Sequence, residues 1–111
     1  MYAKTKVLPC KNSFMVYALN VFNLIPSQEK NYKKYSIEAG KIIYSKGSKV
    51  IASGWNPIRN LHREIQRDYA VIVKFPSEKF FQECLDEAEK KDIRSLRENS
   101  TKDYIWTLYE N

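Results

Sequence analysis

A junction recurs fifty residues apart in this chain: Leu24-Ile25-Pro26-Ser27-Gln28-Glu29-Lys30 and Lys74-Phe75-Pro76-Ser77-Glu78-Lys79. Each copy follows an apolar, β-branched run and precedes an amphipathic one. Pro26 and Pro76 cannot donate to a strand ladder, and Ser27 and Ser77 can each offer a side-chain oxygen to the free N–H groups of a first helical turn. A second apolar run follows each helical pattern. The order reads as βαβ written twice.

With two βαβ units in 111 residues, the expected fold class is α+β, a ferredoxin-like βαββαβ with a four-stranded antiparallel sheet. The length suits one domain with one core. Residues 1–12 have no period and read as a flexible N-terminal tail, and 13–111 as the single domain. Phe14 to Leu24 reads as a buried strand interrupted by Asn20 and Asn23. A helix runs from about Gln28 to Lys46, with Tyr32, Tyr35, Ala39, Ile42 and Ile43 on its apolar stripe and Gly47 closing it. Lys49 to Trp55 forms the second strand. The connection from Pro57 to Arg67 exceeds a tight turn, and Ile58, Leu61 and Ile65 suggest a short helical turn or a surface flap. Asp68 to Phe75 is strand three. The last helix spans Glu78 to about Asn99, with a kink or break between Asp86 and Asp92 where its stripe slips. Lys102 to Glu110 completes the sheet.

Two helices can cover only one sheet face, yet strands one, three and four are apolar on both. An open face of that kind exceeds the apolar surface a soluble monomer usually exposes. The cheapest cover is a second copy packed sheet to sheet, so a homodimer is expected, with Tyr17, Trp55 and Trp106 as interface candidates. No apolar run is long enough to span a bilayer and no secretory leader is evident, which points to the cytoplasm. The net charge of +6 comes mostly from lysines scattered over every element. Such a balance speaks to solubility rather than to a nucleic-acid partner. Cys10 and Cys84, the only cysteines, make neither a disulfide framework nor a thiolate metal site.

From Tyr17 to Glu110 the chain resembles the family called domain of unknown function 1330, within the dimeric α/β-barrel superfamily. The matching pieces are Tyr17, the tyrosines of Tyr32-Lys33-Lys34-Tyr35, Gly47 followed by Val50-Ile51-Ala52-Ser53-Gly54, the Phe75-Pro76-Ser77 junction, Arg97, and Asp103-Tyr104 opening the last strand. The resemblance implies a ferredoxin-like protomer, a face-to-face dimer and a pocket between helices and sheet, and it implies no activity. The chain departs from the family's pattern at Ile25-Pro26, at Tyr69 and at Cys84-Leu85-Asp86.

The candidate ligand-binding residues are Asn20, Tyr35, His62 and Arg97. Asn20 interrupts a buried strand, so its amide needs a partner from the protein or from a ligand. Tyr35 and Arg97 match the family pattern; Arg97 can pair with a ligand carboxylate or with Glu98 or Asp103. His62, the only histidine, lies in the long loop as a solvated residue or a flap contact. Glu87, Glu89 and Asp92 beside Lys90 and Lys91 read as a solvated face, so neither a metal nor a cofactor is expected. The pocket would take a small apolar or aromatic acid. An enzyme like the superfamily's cofactor-independent monooxygenases or isomerases would add proton transfer by Tyr35 or His62. A third reading, an RNA-recognition module, places a stacking ring at Tyr17 but lacks the second aromatic, at Val71, and carries Asp68 where glycine belongs.

Overall fold

The computed structural model describes residues 14–62 and 65–111. The expected tail at residues 1–12, with Cys10, lies outside them. The element order is β1 (Val16–Leu24), α1 (Glu29–Ser45), β2 (Lys49–Trp55), β3 (Tyr69–Phe75), α2 (Glu78–Lys90), α3 (Arg94–Ser100) and β4 (Thr101–Glu110). The four strands form one sheet in the order β2-β3-β1-β4, with every neighbouring pair antiparallel. This is the ferredoxin-like α+β fold that the repeated pattern requires.

The two junctions do not behave alike. At the second, Ser77 is extended (φ −163°) and its Oγ accepts from the Phe80 N–H at 3.3 Å, as an N-cap should. At the first, the helix starts one residue later relative to the proline. Ser27 takes a left-handed conformation (φ 69°), Gln28 becomes the N-cap without a side-chain bond, and the Ser27 N–H donates to Glu29 Oε1 at 3.1 Å. The expected Ser27 cap is therefore absent, because the extra residue turns its side chain away from the helix end.

Both long helices end in the same way. Gly47 (φ 71°) lets Ser48 N–H reach Ile43 O at 3.1 Å and its own N–H reach Tyr44 O at 3.3 Å, a Schellman closure. Asp92 (φ 53°) does likewise in the second half, with Ile93 N–H on Ala88 O at 3.3 Å. That closure is the expected break. It splits the last helix into α2 and α3 and turns Ile93 into the core, where it is 5% exposed.

Cross-strand register fixes the faces. Val16, Ala18, Asn20 and Phe22 of β1 share the helix side with Phe75, Val73, Val71 and Tyr69 of β3. Tyr17, Leu19 and Val21 occupy the open side, beside Ile72, Ala70, Ile105 and Tyr109. Nothing within the described residues covers that side, and Ile105 and Tyr109 are about half exposed.

The connection after β2 contains no helical turn among its described residues, and Ile58, Leu61 and Ile65 are 100%, 85% and 73% exposed. Their spacing alone cannot hold a short helix without a surface to pack on.

Candidate functional site

A cavity of about 320 Å³ lies between the sheet and the helices. Apolar side chains form most of its wall: Ile42 and Ile43 from α1, Val73 and Phe75 from β3, and Phe81 and Leu85 from α2. Its rim carries the exposed polar residues Gln82, Asp86, Glu89 and Arg94. The rim crosses the α2–α3 break, bridged by Arg94 Nη1 to Glu89 Oε1 at 3.3 Å.

One wall is different. Asn20, Tyr35, Arg97 and Trp106 line the cavity together, with Tyr104 behind them. Asn20 Nδ2 donates to the Tyr104 hydroxyl at 2.9 Å. Tyr35 interacts in turn with the Tyr104 hydroxyl and the Arg97 guanidinium. Burial raises the Tyr35 hydroxyl above the ordinary phenol range, held back by Arg97. Burial raises Tyr104 and Tyr32 further still. All three phenols are therefore protonated at neutral pH.

The sequence builds this wall through an irregularity in β4. Val21 pairs with Ile105 and Asn23 with Lys102, so Asp103 and Tyr104 together oppose Phe22. The bulge holds Asp103 at φ 55° and keeps Tyr104 against Phe22, with ring centroids 5.2 Å apart. Asn23 braces it: its Oδ1 accepts from Asp68 N–H at 2.8 Å and its Nδ2 donates to Asp103 Oδ2 at 3.1 Å. Arg67 Nε adds a bond to the Asp103 carbonyl at 2.8 Å. Asn23, Arg67 and Asp103 thus act at a distance by positioning Tyr104.

Arg97 is fixed from its backbone. Its carbonyl accepts from Thr101 Oγ1 at 2.7 Å and from the fully buried Ser100 Oγ at 3.3 Å. The guanidinium carbon then stands 5.2 Å from the Tyr104 ring centroid and 5.5 Å from that of Trp106. Its side chain is only 20% exposed, and its contact with Glu98 is long at 3.7 Å, because Glu98 Oε2 bonds Arg94 Nε at 2.8 Å. Arg97 therefore keeps most of its hydrogen-bonding capacity for the cavity.

Of the sequence candidates, Asn20, Tyr35 and Arg97 come together here. His62 does not: it is exposed in the long loop and lies outside the cavity wall. Two interface candidates also change place. Trp106 pairs with Asn20 across β1 and β4 and lines the cavity, on the helix side. Trp55 pairs with Tyr69, stacks edge-on against it at 4.7 Å and stands at the sheet edge, 62% exposed, also on the helix side. Only Tyr17 faces the open side. The physical reason is register, since the β4 bulge and a second register shift between Val50 and Ala52 of β2 decide which member of an alternating apolar pair turns inward. Tyr104 was legible only as part of a family motif, and its bond to Asn20 spans 84 residues. The RNA platform loses its second position as well, because Val71 packs on the core side. Among the described residues, no group of three His, Cys, Asp or Glu could hold a metal ion, and no helix is long and apolar enough to cross a membrane.

No curated protein matches the sequence. Among solved structures, a protein of unknown function from Rhodopseudomonas palustris superposes with a TM-score of 0.77 at 18% identity, covering 89% of this chain and 83% of its own. The cofactor-independent oxygenase SnoaB from Streptomyces nogalater gives 0.60 at 9% identity, over 86% and 91% of the two chains. A dimeric protein of unknown function with a ferredoxin-like fold, from Bacteroides fragilis, gives 0.51 at 12% identity, over 87% and 96%. At such identities the likeness is one of fold alone. The family model for the domain of unknown function DUF1330 matches residues 16–109, and the chain belongs to that family.

Proposed function

We propose that the protein is a homodimer whose protomers each bind a small apolar or aromatic acid in the helix-sheet cavity. The observation that carries this reading is Arg97, a cation largely withdrawn from water at one wall of a mostly apolar cavity, whose carboxylate contact, Glu98, is long at 3.7 Å. A carboxylate on an apolar body matches both features. The second copy covers the open face of Tyr17, Leu19, Val21, Ile72, Ile105 and Tyr109, an apolar area that needs a partner. The dimeric Bacteroides fragilis protein of the same fold supports the dimer. The expected setting is the cytoplasm.

Thermal-shift measurements with benzoate, phenylacetate and hexanoate, run beside light scattering on the eluting protein, test both parts. A rise in melting temperature with at least one acid is expected, lost in Arg97→Met while that variant still unfolds cooperatively, with the mass of a dimer throughout. The absence of any shift, or a shift that survives Arg97→Met, overturns the acid site, and a monomer overturns the assembly. An enzymatic reading, supported by the oxygenase of like fold, would use Tyr35 as a proton donor to the bound acid. It requires turnover of a bound acid that Tyr35→Phe abolishes while binding persists.

A further inference from the structure

Among the described residues, three buried side-chain polar atoms lack a hydrogen-bond partner: Asn20 Oδ1, Trp106 Nε1 and Ser48 Oγ. Two of the three belong to directly paired residues on the wall of one cavity. An acceptor and a donor on neighbouring side chains are therefore both without a partner, each closed off from water. Leaving such groups unpaired destabilises the empty cavity.

They do not pair with one another, because the Asn20 amide is committed elsewhere. Its Nδ2 donates to Tyr104 at 2.9 Å, and that bond fixes where Oδ1 points. Turning the amide to meet the indole N–H would break the bond to Tyr104 and orphan a different atom. The protein alone cannot satisfy both groups. A carboxylate cannot either, since it only accepts: it could bond the Trp106 N–H but would oppose Asn20 Oδ1.

A hydroxyl does both at once. It donates its proton to Asn20 Oδ1 and accepts the Trp106 N–H on its oxygen. Arg97 stands 5.5 Å from the Trp106 ring centroid, so an acid group held by Arg97 lies beside the indole. Resting on the acid-binding reading above, we infer that the ligand is a hydroxylated aromatic acid, its hydroxyl read by the Asn20–Trp106 pair and its carboxylate by Arg97. Both atoms are covered in the unliganded protein, so ligand entry must part the side chains over them while the Asn20–Tyr104 bond stays in place.

Isothermal titration with the three monohydroxybenzoates, their methyl ethers and benzoate tests this directly on the whole protein. At least one hydroxybenzoate is expected to bind tenfold or more tightly than both benzoate and its own methyl ether, which can accept but not donate. In Trp106→Phe, and separately in Asn20→Leu, the ratio of hydroxybenzoate to benzoate affinity should fall below about threefold. If either variant fails to fold, the wild-type ratios decide alone. Equal binding of hydroxylated and plain acids overturns the hydroxyl inference and leaves the acid site standing. Failure of every acid to bind overturns both.

Discussion

The half of the molecule that opens at Pro26 carries one unbroken helix and ends in an edge strand, β2, whose residues are all exposed. The half that opens at Pro76 breaks its helix at Asp92, and the short α3 that follows places Arg94 and Arg97 at the cavity before β4 returns beside β1. The first half supplies the apolar stripe of α1 and Tyr35. The second supplies the cation, the indole and the rim. The candidate site thus arises where the two βαβ units cease to be alike. A strict repeat would carry a second long helix across that region, and with it neither the rim nor Arg97 in its present place.

Three experiments press on this difference between halves, beyond the ligand tests above. The largest effect is expected at the residues that precede the two prolines. Phe75 is 3% exposed and packs edge-on against Phe81 at 5.1 Å, so Phe75→Ala should cost about 3–5 kcal/mol in urea unfolding. Ile25 is only partly buried, and Ile25→Ala should cost about 1–2 kcal/mol. Equal losses would show that the junctions bear equal loads and would remove the asymmetry at its base.

A second test uses the titratable groups through which the halves meet. Burial pushes the Cys84 thiol from its ordinary value near 9 up to about 11, and burial likewise raises the phenols of Tyr32, Tyr35 and Tyr104. In each case the folded state holds its proton more tightly than the unfolded chain. Their contribution is complete below the unfolded values and is lost as pH climbs through the folded ones. The melting temperature should therefore fall by several degrees between pH 8.5 and about pH 11. A flat profile over that span would mean these groups are solvated and the contact between halves is loose.

The smallest effect separates the two serines. Ser77→Ala removes a side-chain cap and should cost about 1 kcal/mol, whereas Ser27→Ala should stay within about 0.5 kcal/mol. A loss at Ser27 as large as that at Ser77 would restore the symmetry that the two junctions suggest on paper.

Much of the fold was legible because its signals are local. Proline stops a strand wherever it stands, Gly47 permits a left-handed closure, and the slip in the stripe after Leu85 announces a break. The break falls at Lys91 to Ile93, at the late end of the expected window, because Asp92 is the residue that takes the positive φ. The candidate site was legible only in part. Asn20 stood out as a polar residue in an apolar strand, and Arg97 and Tyr35 through a resemblance to a family. The helix-side placement of Trp106 and Trp55 was not legible, since strand four alternates aromatic residues on both sides and Trp55 follows a register shift between Val50 and Ala52 of β2.

The sequence by itself determined the order of elements, the ferredoxin-like class, the family and the excess of apolar surface on both sheet faces. These depend on spacing within one element or one turn, where the chemistry of neighbours is enough. Tertiary structure alone decided which serine caps a helix, which tryptophan lines the cavity, and that Asn20 gives its amide hydrogen to Tyr104 and leaves its oxygen unpaired. Those outcomes hang on one extra residue after Pro26 and one bulge in β4. A single-residue shift turns a side chain to the opposite face, and only pairing between distant strands fixes that shift.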